Sequence, residues 1–262
     1  MTQLAADNES LKGPLAGTNL VAALLILASE IMYLGGMMAI DSAREAQMAS
    51  DTLGLRVVGV CNQAVDNTAD GESVNPPSVG VWRMNNSATY AIGRGMVGQT
   101  CYVEDDNTVG ASSTNLVVAG LIVDVDGSGV WVDFSPTAMA QARAGARLKV
   151  VSVTDDATVT AAQCFQGNVV LACDKATGLT LTLPTAVAGY RLGVQRIDGT
   201  AAHDVVVTAA AGDKVRGSAA AGTITNTTDA VSAILWLETA SATDWVDAAP
   251  LAPDRAVWAA SA

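Results

Sequence analysis

Residues Leu116–Phe134 read LVVAGLIVDVDGSGVWVDF. Two apolar, β-branched runs, Leu116–Val125 and Val130–Phe134, meet across an Asp/Gly/Ser cluster, which is how a strand, a tight turn and a second strand look in sequence. The same rhythm holds upstream. Short apolar runs at Leu55–Val60 (LRVVGV), Val79–Arg83 and Thr100–Val103 alternate with DNTADGES (66–73), NPP (75–77) and NNS (85–87). Strands at this spacing with turn residues between them predict a β-barrel or sandwich-like domain over residues 19–134. Residues 1–18 are polar and punctuated by Gly13-Pro14 and Gly17, and read as an extended arm.

Downstream of that domain the texture changes. Ser135-Pro136 opens TAMAQARAGAR, with serine placed as N-cap and proline at the first helical position. Arg143 and Arg147 share a face near the C-terminal end, where the helix dipole favours positive charge. Residues 135–150 are therefore read as a linker with a short helix, followed by a C-terminal β-sandwich-like domain at 151–262. Within it, Leu179–Leu183 (LTLTL) alternates strictly, with leucines on one face and threonines on the other. Arg191–Ile197, Asp204–Thr208, Val231–Glu238 and Asp244–Asp247 read as further strands. Ala209–Thr228 reads as a long loop with at most one edge strand, and Trp236 and Trp245 as neighbours in a final hairpin. No fixed-period repeat is visible, which argues against a solenoid or propeller. The expected fold is mainly β, in two domains.

Composition narrows the function. Of 262 residues, 50% are hydrophobic but only 4% aromatic, and 15% are charged, against about 25% in an average soluble domain. The net charge is −12. Residues 1–134 hold 5 basic and 15 acidic side chains, residues 135–262 hold 9 and 11. A nucleic-acid binder needs a basic face, so none is expected. The longest apolar run, LVAALLILA (Leu20–Ala28), falls well short of the about 20 residues that span a bilayer. Asp7, Glu9 and Lys12 precede it where a signal peptide would be positive. It reads as a buried strand or the end of a docking arm, and the chain as soluble.

Single histidine His203 and cysteines Cys61, Cys101, Cys164 and Cys173, with no C-x-x-C pair, leave little for metal binding or redox chemistry. Cys164 and Cys173 have the spacing to face each other across a hairpin, but free, half-buried thiols are the expectation. Gly93–Gly98 (GRGMVG) matches the dinucleotide fingerprint by letter, yet QTCYV follows where a helix should begin. Asp124–Gly129 (DVDGSG) imitates the start of a calcium loop, but position 12 is Ser135, so a tight β-turn is expected. Glu104-Asp105-Asp106 is the densest acid cluster and reads as a solvated turn. Cys164 with His203 as nucleophile and base has no local support. Asn85-Asn86-Ser87 and Asn226-Thr227-Thr228 match glycosylation sequons. No catalytic, cofactor-binding or metal residue is expected, and the chain does not read as an enzyme.

Three blocks carry a family resemblance: YLGGMMAID (Tyr33–Asp41), ASDTLGLRVVGVCNQAVDNTADGE (Ala49–Glu72) and IGRGMVGQTCYVEDDNTVGASSTNLVVAGLIVDVDGSGVWVDF (Ile92–Phe134). In this order they resemble the bacteriophage capsid decoration, or cement, proteins. The resemblance implies a small β-rich domain on the outside of an icosahedral head that binds the major capsid protein, often as a homotrimer, with no catalytic residues. It implies a virion location after synthesis in the host cytoplasm. The tail, with GLTLTLP (178–184), AGYR (188–191) and TDWVD (243–247), is similar to β-modules appended to phage decoration and fibre proteins. On that reading Thr2–Leu27 reaches onto a neighbouring subunit. The alternative is an adhesin or fibre-like module binding host-surface glycans through the C-terminal domain, which exposed Trp or Tyr with Asp or Asn nearby would favour; Tyr190, Asp244 and Trp245 are the residues that decide it.

Overall fold

A computed structural model describes residues 23–175, 177–197, 203–216, 222–226, 234–239, 241–247 and 258–260. The arm at 1–18 lies outside them. The chain divides into two units. The first comprises Met1–Asp51, Arg56–Ser113 and Val118–Ala144; the second comprises Thr52–Leu55, Thr114–Val117 and Gly145–Ala262. Both are built mainly of strands, as expected.

The first unit starts with short strands: β1 (Leu24–Leu25), β2 (Ile31–Met32), β3 (Met37–Ile40), β4 (Ala46–Met48), β5 (Arg56–Val60), β6 (Val65–Asp66) and β7 (Ser73–Val74). β3 is the centre of a three-stranded sheet between β4 and β5, while β1 pairs with β7 and β2 with β6. Then come β8 (Val81–Asn86), β9 (Thr100–Val103), β10 (Thr108–Gly110), β11 (Val118–Asp126) and β12 (Gly129–Asp133). These five close into a barrel in the order β10-β8-β12-β11-β9. Closure leaves no free edge in so small a sheet. Its alternating residues Tyr102, Val109, Ile122, Val130 and Val132 are buried. The quoted stretch forms the β11–β12 hairpin, with Val125 opposite Val130 and a bulge between Ile122 and Asp124. Helix α1 (Pro136–Ala144) buries Ala138, Met139 and Ala142, and the Thr100 hydroxyl donates to the Ala142 carbonyl at 2.9 Å.

Leu20–Ala28, read as a buried strand or the end of a docking arm, is described only from residue 23; there β1 is two residues long, and Leu25 is exposed while Ile26 is buried, so a fully buried strand is not formed. Among the described residues β1 pairs with β7, Leu25 lying opposite the exposed Ser73.

The second unit contains β13 (Lys149–Val153), β14 (Ala157–Thr158), helix α2 (Ala161–Gln166), β15 (Val169–Cys173), β16 (Leu179–Thr182), β17 (Arg191–Arg196), β18 (Val205–Thr208), β19 (Lys214–Val215), β20 (Thr223–Asn226), β21 (Ile234–Thr239), β22 (Asp244–Asp247) and β23 (Trp258–Ala260). They form two sheets, β13-β15-β17-β21-β22-β19 and β14-β16-β18-β20-β23. The Arg196 guanidinium on the first donates to the Asn226 side-chain amide oxygen on the second at 3.4 Å, both side chains buried.

The winding adds parallel coils that the sequence does not announce. The chain alternates between the sheets three times, through β13–β14, β15–β16 and β17–β18, and these strands run parallel within each sheet, whereas β21 and β20 then join β17 and β18 antiparallel. Lys149 lies beside Val169 and Val170 beside Gly193, offsets of 20 and 23 residues. In the other sheet Ala157 lies beside Leu181 and Leu181 beside Val207, offsets of 24 and 26. The turns are coils of unequal length, so no repeat shows in the letters. Stacking in register does the packing. Leu171, Val194 and Leu235 line up across one sheet and Leu181, Val207 and Ile224 across the other, all buried. The LTLTL alternation is borne out: Leu179, Leu181 and Leu183 are buried and Thr180 is exposed. β21 and β22 do form a hairpin bearing Trp236 and Trp245. The segment read as a loop at Ala209–Thr228 holds two strands, β19 and β20.

Helix α2 was not foreseen. Thr160 and Gln163 form a reciprocal capping box, and Gly167 closes the helix with φ of 85°. Gln166 and Asn168 fix two loops from the N-terminal half of the chain. The Gln166 amide accepts from the Gly54 N–H at 3.0 Å and donates to the Asn115 carbonyl at 2.7 Å; Asn168 donates to the Leu116 carbonyl at 3.2 Å. Gly54 has φ of 93°, and a Cβ there would lie 2.4 Å from the Ala162 Cβ, so only glycine fits. Among the described residues no helix is long and apolar enough to cross a membrane.

Candidate functional site

The two glycine-rich motifs come together in the barrel unit, as turns. Arg94–Met96 is a single 3-10 turn and strand β9 follows it. The Arg94 Nε donates to the Val125 carbonyl at 2.9 Å, and its guanidinium stands 3.5 Å from the exposed Asp124 carboxylate. A pair this exposed contributes little stability; the backbone bond fixes the turn. In the neighbouring hairpin, one Asp126 oxygen accepts from the Ser128 and Gly129 N–H groups at 2.6 and 3.1 Å, and the other accepts from the Trp131 indole at 2.8 Å. These donors, the indole first, hold the Asp126 carboxyl below the usual carboxylate range. Its lone pairs are used in shaping a β-turn. The expected tight β-turn is present.

Glu104, Asp105 and Asp106 form the loop between β9 and β10. The Glu104 and Asp105 N–H groups both donate to the Thr108 carbonyl, and the Asp105 carboxylate accepts from the Asn107 N–H at 2.9 Å. Glu104 and Asp105 are exposed, whereas Asp106 is half-buried and its pKa is raised by burial and by Asp105. The carboxylates shape and solvate a turn.

All four cysteines are free and buried. Burial pushes the Cys101 and Cys173 thiols up to about 12, and raises Cys164 further. A thiol held protonated is a poor nucleophile at neutral pH, so Cys164 on α2 packs as a small apolar side chain. Of the sequon asparagines, Asn226 is buried and Asn85 donates to the Asn107 amide oxygen at 3.0 Å.

The residues named for glycan contact are placed otherwise. Trp245 and Tyr190 are buried, and with Phe165 they form a chain of rings at centroid distances of 6.4 and 6.3 Å. Alternation along β22 turns Trp245 inward when Asp244 lies toward solvent. Neither ring offers a face to a sugar. Trp236 is half-buried, with the Arg191 guanidinium 4.6 Å over its ring.

The sequence reading missed what stands out on the first unit: exposed large apolar side chains on ordered backbone. Leu25, Ile31, Tyr33 and Leu34 fall within ten residues of chain. Their signal in sequence is only an apolar run broken by Ser29-Glu30, without the alternation that separates inside from outside. On the barrel, Val81, Trp82, Tyr90, Val97 and Val123 are also exposed. No family model matches the chain, and neither curated proteins nor solved structures give a match.

Proposed function

We propose that the chain is a structural virion protein that decorates and stabilises the outer surface of a tailed-phage icosahedral head by binding the major capsid protein, acting as a homotrimer. The observation that carries this reading is the correspondence between the resemblance and the barrel. Its longest block, Ile92–Phe134, spans the 3-10 turn and strands β9 to β12 without a break, and the two letter-motifs in it serve as turns. A protein that occupies many identical sites on a shell gains avidity from repetition and needs rigid complementary surfaces. A closed barrel with exposed apolar side chains suits that demand. The glycan-adhesin alternative loses the residues on which it rested, since Tyr190 and Trp245 are interior.

The test is to mix purified chain with undecorated heads, then measure co-sedimentation and resistance to heat rupture. Saturable binding with raised rupture temperature supports the assignment; heads that stay bare and rupture unchanged refute it.

A further inference from the structure

The exposed apolar group at the start of the first unit sits on a firmly built base. Segment 24–32 runs beside 65–74, with Leu24 opposite Val74 and Ile31 opposite Asp66. Asn67, fully buried, fastens the two together. Its Nδ2 donates to the Ile26 and Leu27 carbonyls at 3.1 and 3.0 Å, and its Oδ1 accepts from the Glu72 N–H at 2.8 Å. On the inner side, Ile26, Met32 and Val74 join Met38, Met48 and Cys61 in one apolar cluster. Ile31 and Tyr33 flank Met32 along the chain, so alternation sends them outward. Leu25, Ile31, Tyr33 and Leu34 are 61%, 37%, 56% and 69% exposed. Apolar side chains exposed this way within ten residues of chain, on or next to strands packed into a buried cluster, mark an interaction surface.

The two paired segments carry one sign of charge, and Asp66 lies directly opposite Ile31. Residues 24–34 and 65–74 contain Glu30, Asp66, Asp70 and Glu72 and no lysine or arginine. Asp66, Asp70 and Glu72 are exposed. The Thr68 N–H bonds the Asp66 carboxylate at 3.0 Å, and the Gly71 N–H bonds that of Asp70 at 2.8 Å. An apolar centre inside an acidic rim repels a second copy of itself, an anionic lipid surface and a nucleic-acid backbone. It is complementary to a protein surface that is apolar at its centre and edged by lysine or arginine.

We infer that this acid-rimmed apolar knob is the face by which the chain docks onto the shell, on a patch of the major capsid protein that is apolar and basic-edged. The inference rests on the decoration reading, and adds which face docks and the chemistry of the surface that receives it. The apolar centre holds the complex, and the carboxylates set orientation and association rate.

The experiment uses the full chain and undecorated heads of the same phage, with affinity measured by co-sedimentation from about 0.05 to 0.5 M salt, a range that shortens electrostatic reach severalfold. One variant combines Leu25→Ser, Tyr33→Ser and Leu34→Ser. A second combines Asp66→Asn, Asp70→Asn and Glu72→Gln, keeping the side-chain acceptors while removing charge. Circular dichroism and melting establish that both are folded. Expected are a loss of at least about tenfold for the first variant at every salt concentration, and a flattened salt dependence for the second. Both variants binding as the wild type would overturn the inference. So would a change in self-association or in binding to anionic vesicles with head binding intact. Failure of the wild type to bind heads is a separate result, which removes the decoration reading and the inference with it.

Discussion

Gly129→Ala should open the barrel at its seam. Gly129 begins β12 opposite Asp126, with φ of 151°, and the next residue, Val130, pairs with Met84 of β8. A Cβ at Gly129 would lie 2.3 Å from the Met84 carbonyl oxygen and 3.3 Å from its carbon. Carbon–oxygen contacts between strands lie at about 3.3–3.6 Å, so β8 and β12 must part by about 1 Å. The unfavourable backbone conformation costs on the order of 1–3 kcal/mol. Each ladder hydrogen bond lost adds about 1 kcal/mol. With one bond lost the total is about 2–4 kcal/mol, or a fall in Tm of about 4–16 °C at about 2–4 °C per kcal/mol for a chain of this size. Urea unfolding followed by tryptophan fluorescence reads it. Gly127→Ala, two residues earlier in the same turn, is the internal control: its Cβ would meet nothing within 4 Å, so its effect should stay within about 0.5 kcal/mol. If Gly129→Ala were within about 1 kcal/mol of the wild type, the account of the barrel seam would be wrong.

Trp245→Ala should destabilise the second unit by about 3–5 kcal/mol, as for other large buried rings, measured by calorimetry. Asn67→Ala removes three hydrogen bonds, taking the Asn67 donor from the Ile26 carbonyl while Leu27 keeps the Glu30 N–H, a loss of about 2–4 kcal/mol; hydrogen exchange should show 24–32 and 65–74 opening together. The buried thiols add a pH dependence. Because Cys101 and Cys173 are raised from 9.0 to about 12 in the folded chain, the unfolded chain loses these protons first, so stability is full below about pH 9 and falls as pH rises toward 12. Melting between pH 7 and 11 checks the sign, and thiol reagents at pH 8 should react only after unfolding.

Much of the β architecture can be read from local letters. Thr100–Val103 and Asp244–Asp247 coincide with strands β9 and β22, because runs of β-formers bounded by Asp and Gly have few other options. Ser135-Pro136 likewise opens α1. What depends on distant residues stays hidden. The parallel coils are unequal in length, so Leu171 and Val194 align in space without aligning in sequence. Helix α2 is six residues long, and only the Thr160-x-x-Gln163 spacing announces it. The outward placement of Leu25 follows from the Asn67 clamp some 40 residues away. Tyr190 and Trp245 looked like a sugar platform by their neighbours in sequence, while the ring chain through Phe165 places them in the interior.

The most direct test of the central claim is a cryo-electron microscopy comparison of heads made with and without this chain. The decoration account predicts additional density at symmetry-related positions on the outer surface, with the acid-rimmed knob against the shell, and its disappearance when the chain is absent. Identical outer surfaces in the two reconstructions would contradict it.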